Sequence, residues 1–185
     1  MTHYGRFFLA ATAVFGLGIA AGLLTPPDVA RSQVASLGGL AQQLTSLPPL
    51  GLFVYILFRN ASVLFFSFIL SPFLLLTPLL ALGFNGWLIG AVGIALAQSK
   101  SVAYVLAGTL PHAIFEIPAF IIAEAAALSF GLSVLVALFR KERRPALSAS
   151  LSTSLKYLAA GLVLLVPAAA VEALITPRVL AYFGG

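Results

Sequence analysis

His112 and Glu116 stand four residues apart, so on a helix they lie one above the other on one face. They put an imidazole and a carboxylate inside one of the longest apolar runs of the chain. Pro111 and Pro118 bracket them. Pro111 can open a helix, because its missing N–H falls where the first turn has no partner. Pro118 frees the carbonyl of Ile114, which predicts a kink beside the pair. A carboxylate within a membrane-length run is costly, and so points to function by default. Two chemistries fit. In the first, Arg59 forms an ion pair with Glu116 or Glu172, and His112 is a hydrogen-bonding neighbour. In the second, the same groups with Asn60 make a proton, cation or ligand site. A metal ion is the weaker version of the second, since no further histidine is at hand. The residues assign no metal and no cofactor.

Motifs for enzymatic chemistry are missing. There is no His-Glu-x-x-His pair of zinc ligands with its base, no Gly-x-Ser-x-Gly elbow and no Walker-type phosphate loop. An intramembrane hydrolase would need paired carboxylates with more histidines. The reading is therefore not an enzyme.

Composition sets the environment in which these groups must be held. Hydrophobic residues make up 61% of the 185 and charged residues only 8%, against roughly 25% charged in a soluble domain. Mean hydropathy is +1.10. Such a chain is one integral membrane domain, residues 1–185, with the lipid bilayer as its first partner. The formal charge of +5 comes from bases set beside apolar runs, as orientation signals are. Nucleic acid is excluded. With no cysteine, disulfides and thiolate metal sites are excluded too.

Five spans emerge from the apolar runs, at about 7–24, 61–82, 80–98, 112–138 and 155–176, the second and third sharing residues near 80–85. The Thr25-Pro26-Pro27 exit lacks a small-x-small cleavage site, so the first run reads as a retained span. Residues 25–49 form the one long polar connection, with room for an amphipathic helix at the interface. Leu50 to Phe58 is too short to span and reads as interfacial or re-entrant. The alternative is one long helix running from 50 into the next span, with Arg59 buried in it. Residues 99–109 form a second short segment. The fold class is thus all-α: a polytopic membrane helix bundle with short interfacial or re-entrant helices on the outer side. Gly83, Gly86, Gly90 and Gly93, spaced three, four and three, make a glycine stripe where backbones approach closely. Gly18 and Gly22 form a small-xxx-small pair. Such faces also offer a route to a homo-oligomer.

Orientation rests on the run Arg140-Lys-Glu-Arg-Arg144, which belongs inside by the positive-inside rule. The N-terminus is then cytoplasmic and the C-terminus outside. This topology brings Arg59, Asn60, His112, Glu116 and Glu172 to one depth in the outer leaflet. Glu124 lies two turns deeper than Glu116 and about 80° around the helix at 100° per residue. Asn85 falls on the opposite, inner side.

The run Pro-His-Ala-Ile-Phe-Glu-Ile-Pro-Ala-Phe-Ile-Ile-Ala at 111–123 resembles the Pro-His-Gly-x-x-Glu-x-x-Ala signature of the stage II sporulation protein M family. Phe58-x-Asn60, Asn85-Gly86-x-x-x-Gly90 and Glu172-Ala-x-Ile-Thr-Pro177 keep the family's order. Ala113 stands where the family has Gly, and Arg59-Asn60 where it tends to have paired asparagines. The resemblance implies a multi-pass, non-enzymatic scaffold or assembly factor. In spore formers the family gathers peptidoglycan-degrading partners at the engulfing septal membrane, so other membrane or cell-envelope proteins are the implied partners. The shared-depth cluster and the two short outer segments support an alternative, a small transporter or channel.

Overall fold

The computed structural model describes residues 3–73 and 75–183. All described elements are helical: α1 (His3–Leu23), α2 (Pro27–Thr45), α3 (Pro49–Leu70), α4 (Leu76–Ser99), α5 (Val102–Phe139), a 3-10 segment (Lys141–Ala146), α6 (Leu147–Leu174) and α7 (Thr176–Phe183). The apolar segments Tyr4–Leu23, Pro49–Leu70, Leu76–Ser99, Val102–Phe139 and Lys141–Tyr182 are each long enough to cross a bilayer. The protein is an all-α, five-span membrane bundle.

The helices start where local chemistry permits, and this moves several boundaries from their sequence-based positions. Proline occupies the first turn of α2 and α3, where its missing N–H costs nothing. With Pro49 as its start, α3 runs through Arg59 unbroken for 22 residues, about 33 Å. The expected re-entrant piece at 50–58 and the expected span at 61–82 are therefore corrected to one span, 49–70. Residues of the α3–α4 connection include Pro72, which cannot continue α3. Ser101 starts α5 by accepting a hydrogen bond from the Tyr104 N–H at 3.0 Å. That cap stands ten residues ahead of Pro111. Pro111 and Pro118 thus both lie inside a 38-residue helix, and 99–109 is no separate segment. The missing N–H groups of these prolines still leave the carbonyls of Ala107 and Ile114 without their usual donors.

α5 is the centre of the bundle. It packs against α1, α3, α4, α6 and α7, and its stretch Ala123–Ser129 is buried all round, as a helix enclosed by others must be. Small residues allow the close approaches. A Cβ at Gly161 would stand 2.8 Å from the Ala119 carbonyl oxygen, so α6 lies directly on α5. On the other side α1 seats on α4. A Cβ at Gly18 would stand 2.5 Å from the Gly83 carbonyl oxygen, and Cβ atoms at Gly22, Gly86 and Gly90 would collide with the carbonyls of Trp87, Phe15 and Ile19. The seam is therefore Gly86 and Gly90 against Gly18 and Gly22. Gly83 has open space where its Cβ would be, and Gly93 meets only Val105 at 4.0 Å, so neither is forced to be glycine by packing. These four seam glycines are occupied within one chain.

Hydrogen bonds and contacts rise together along α3 and α5: Asn60 with Glu116, Ser67 with Glu124, and Ser71 against Gly131. The two helices run parallel. α3 and α4 are consecutive in sequence but touch little, and the gap between them holds the site. One end of the bundle carries α2 and α7, and the other carries the basic 140–144 run.

Candidate functional site

A cavity of about 560 Å³ fills the gap between α3 and α4, with α5 as its back wall. Leu37 and Leu44 of α2 line one end, and Phe15 with Phe120 line the other. Most of the wall is apolar, and into it project Arg59, Asn60, Asn85, His112, Glu116 and Glu172. Charged groups within a span normally face such a cavity.

Three contacts fix the polar groups. Asn60 donates from Nδ2 to Glu116 Oε1 at 3.0 Å. This is set by the parallel register of α3 and α5. His112 Nε2 stands 3.9 Å from Glu116 Oε2, close enough for electrostatic attraction but beyond hydrogen-bond reach. On the ring's other side, His112 Nδ1 lies 3.4 Å from Thr176 Oγ1, and the Thr176 hydroxyl donates to the Val171 carbonyl at 3.3 Å. Two tautomers fit this contact: Nδ1–H donates to Thr176 Oγ1, or Nδ1 accepts from the Thr176 hydroxyl and Nε2–H faces Glu116. In the first of these, Nε2 turns an unprotonated lone pair toward Glu116. Glu172 is placed by its neighbours on α6: Ala169 and Ala173 bury against Ile56, one turn before Arg59 and Asn60. One ligand atom each from His112, Glu116 and Glu172 lies within 4.8 Å of the others.

The residues singled out in the sequence separate into two groups. Arg59, Asn60, His112, Glu116 and Glu172 come together, but Arg59 is not the ion-pair partner expected. It is exposed, and no described cation other than His112 has a nitrogen within 4.0 Å of Glu116 or Glu172. Its charge still bears on both carboxylates through the cavity. Asn85, expected on the opposite side, lines the same cavity. The physical reason is that α4 begins at Leu76, which sets Asn85 about 14 Å along the helix rather than near its end. Its Nδ2 donates to the Ala81 carbonyl of its own helix at 2.8 Å.

Glu124 does not reach the cavity. It is 0% exposed, takes a hydrogen bond from Ser67 at Oε2 and has no partner at Oε1. Ser67 and Thr176 were missed as polar partners. Ser67 stands seven residues after Asn60, nearly the eight that separate Glu116 from Glu124, and that matched spacing was the available signal.

The family model for stage II sporulation protein M matches residues 10–177. The chain belongs to the stage II sporulation protein M family. An uncharacterized protein of Methanocaldococcus jannaschii is 30% identical over 131 residues, covering 70% of this chain and 74% of the relative. No solved structure matches. Arg59, Asn60, Asn85, His112, Glu116 and Glu172 of the cavity, and Thr176 behind His112, fall inside the part matched by the stage II sporulation protein M model. The fold described above is therefore a five-span arrangement for a family member, with its polar groups gathered in one interhelical gap.

Proposed function

We propose that this member of the stage II sporulation protein M family is a small membrane transporter or channel, without enzymatic activity, that binds a polar solute or cation between α3 and α4. The observation that carries the reading is the cavity. Its volume lies within the range of about 300–1,000 Å³ usual for small-molecule sites, and its few polar groups converge on an otherwise apolar wall. A helix bundle held only for docking has no need to keep α3 off α4. The orientation that fits is the one read from the basic run: residues 140–144 in the cytoplasm, with α2 and the C-terminus outside. The cavity then opens toward the outer face.

A second reading, a scaffold for membrane or cell-envelope proteins, is supported by the family's role in spore formers. The two readings part at Glu116. Purified chain in proteoliposomes, with monovalent and divalent cation flux monitored by trapped indicator dyes, should lose flux on Glu116→Gln. A chain that carries nothing across, yet whose Glu116→Gln variant still recovers the same membrane partners in mild detergent, would favour the scaffold.

A further inference from the structure

We infer that the cavity holds a divalent transition-metal ion, of the Zn2+ class, on His112 Nε2, one carboxylate oxygen of Glu116 and one of Glu172. The inference rests on the reading of the cavity as a binding site and names its ligand. Three features point to a cation at this spot. Two carboxylates and an imidazole converge within 4.8 Å, and no arginine or lysine nitrogen among the described residues lies within 4.0 Å of either carboxylate, Arg59 acting only from farther across the cavity. In the tautomer that donates Nδ1–H to Thr176, the Nε2 lone pair faces Glu116 Oε2 at 3.9 Å. In that tautomer a positive charge between the two makes the contact favourable.

The outer contacts have the form a metal centre requires. A ligating histidine normally donates its other ring N–H to an oxygen, and a ligating carboxylate is normally hydrogen-bonded in turn. Thr176 is placed to do the first for His112, and Asn60 does the second for Glu116 at Oε1, leaving Oε2 for the ion. Ligand atoms about a tetrahedral Zn2+ stand about 3.3–3.6 Å apart, given bonds of about 2.0–2.2 Å. Binding would require the two glutamate side chains to rotate inward from the 4.8 Å spacing. Nitrogen and carboxylate donors without thiolate suit Zn2+, Mn2+, Ni2+ or Fe2+, and the imidazole disfavours Mg2+ and Ca2+. Three protein ligands leave a fourth position facing the cavity, the pattern of a site whose ion exchanges or reacts, not of a closed structural one.

The test uses the full chain, untagged, purified in mild detergent and stripped with a chelator. Zn2+ binding is measured by equilibrium dialysis, and Co2+ binding by its visible absorption. The expected result is one ion per chain, with Co2+ bands characteristic of nitrogen and oxygen ligands. Affinity should fall at least tenfold in Glu116→Gln and Glu172→Gln. It should also fall, by about tenfold to a hundredfold, in Asn60→Ala and Thr176→Val, which touch no metal but orient the ligands. Helical circular dichroism identifies any variant that has not folded, and Glu172→Asp, which keeps the charge, should restore part of the affinity. No saturable Zn2+ or Co2+ binding by the folded chain would overturn the inference and leave a proton as the cation between these groups. Binding unchanged by all four substitutions would overturn it as well, placing the ion elsewhere. Failure of the metal site is distinguishable from failure of the binding cavity. A cysteine at Asn85→Cys that still reacts with a thiol reagent would keep the cavity while the metal is lost. One that never reacts, beside intact Zn2+ binding, would do the reverse.

Discussion

Glu116 and Glu124 lie on one helix, eight residues apart, and each accepts a hydrogen bond from α3. Around Glu116 the bundle opens into a cavity shared with Arg59, His112 and Glu172. Around Glu124 they close completely, and the side chain is 0% exposed with one oxygen unpartnered. The helix pair is the same in both places, so what differs is the third wall. At Glu116 that wall is α4, held away from α3. At Glu124 the space is closed, in the stretch of α5 that is buried all round. The comparison teaches that an intramembrane carboxylate is not functional by its mere presence. The groups it can share space with decide.

The largest effect should come from the buried member. Glu124→Ala opens a hole in a packed core and strands the Ser67 hydroxyl, and should lower unfolding stability in mixed micelles by about 2–4 kcal/mol. Glu116→Ala, facing an existing cavity, should cost less than about 1 kcal/mol. Replacing both partners, Ser67→Ala with Glu124→Leu, should recover most of the loss, since removing donor and acceptor together leaves no orphan. Equal costs at 116 and 124 would dissolve the distinction between the two places.

The next effect concerns the wall itself. If α4 is held off α3 by its seam with α1, then Gly90→Ala, whose new Cβ would meet the Ile19 carbonyl, should destabilise by about 1–3 kcal/mol through overpacking. A gain in helix propensity of up to about 1 kcal/mol works against this. Gly83→Ala, with open space at its Cβ, should be neutral or slightly stabilising. Parity between the two substitutions would show that the seam does not hold α4.

The smallest effect is at Arg59. Being exposed to the cavity and without a carboxylate within 4.0 Å, it should show a coupling to Glu116 below about 0.5 kcal/mol in a double-mutant cycle of Arg59→Ala and Glu116→Ala. A coupling of several kcal/mol would restore the ion pair that the sequence suggested.

Much of the site is legible in the sequence. The four-residue spacing of His112 and Glu116 needs only a helix to bring them together, and hydropathy guarantees the helix. Glu172 and Asn60 join them from span order alone. Boundaries are another matter, because hydropathy reports how much apolar surface a window carries and not where a helix begins. Beginnings depend on single residues. Pro49 and Ser101 each start a helix well ahead of the expected position, and each extra turn shifts the depth of the residues after it by about 5.4 Å. That is why Asn85, referred to a late start for α4, is expected on the wrong side. The Arg59 pairing fails for a related reason: charge complementarity names partners, but register and rotamer give Glu116 to the amide next door. The glycine stripe reads correctly as a seam, and only packing shows that Gly83, whose carbonyl meets Gly18, and Gly93 have room for a side chain.

The central claim is that the gap between α3 and α4 is open to the outer solution and that the α3–α5 contact below it is sealed. Single cysteines in this cysteine-free chain test it directly, at Asn85 in the cavity and Ser67 in the core. Ser36→Cys and Glu142→Cys serve as markers of the two membrane faces. An impermeant thiol reagent added to intact cells should modify Ser36→Cys and Asn85→Cys, and leave Ser67→Cys and Glu142→Cys untouched. Modification of Glu142→Cys from outside, or of Ser67→Cys as readily as Asn85→Cys, would contradict the account.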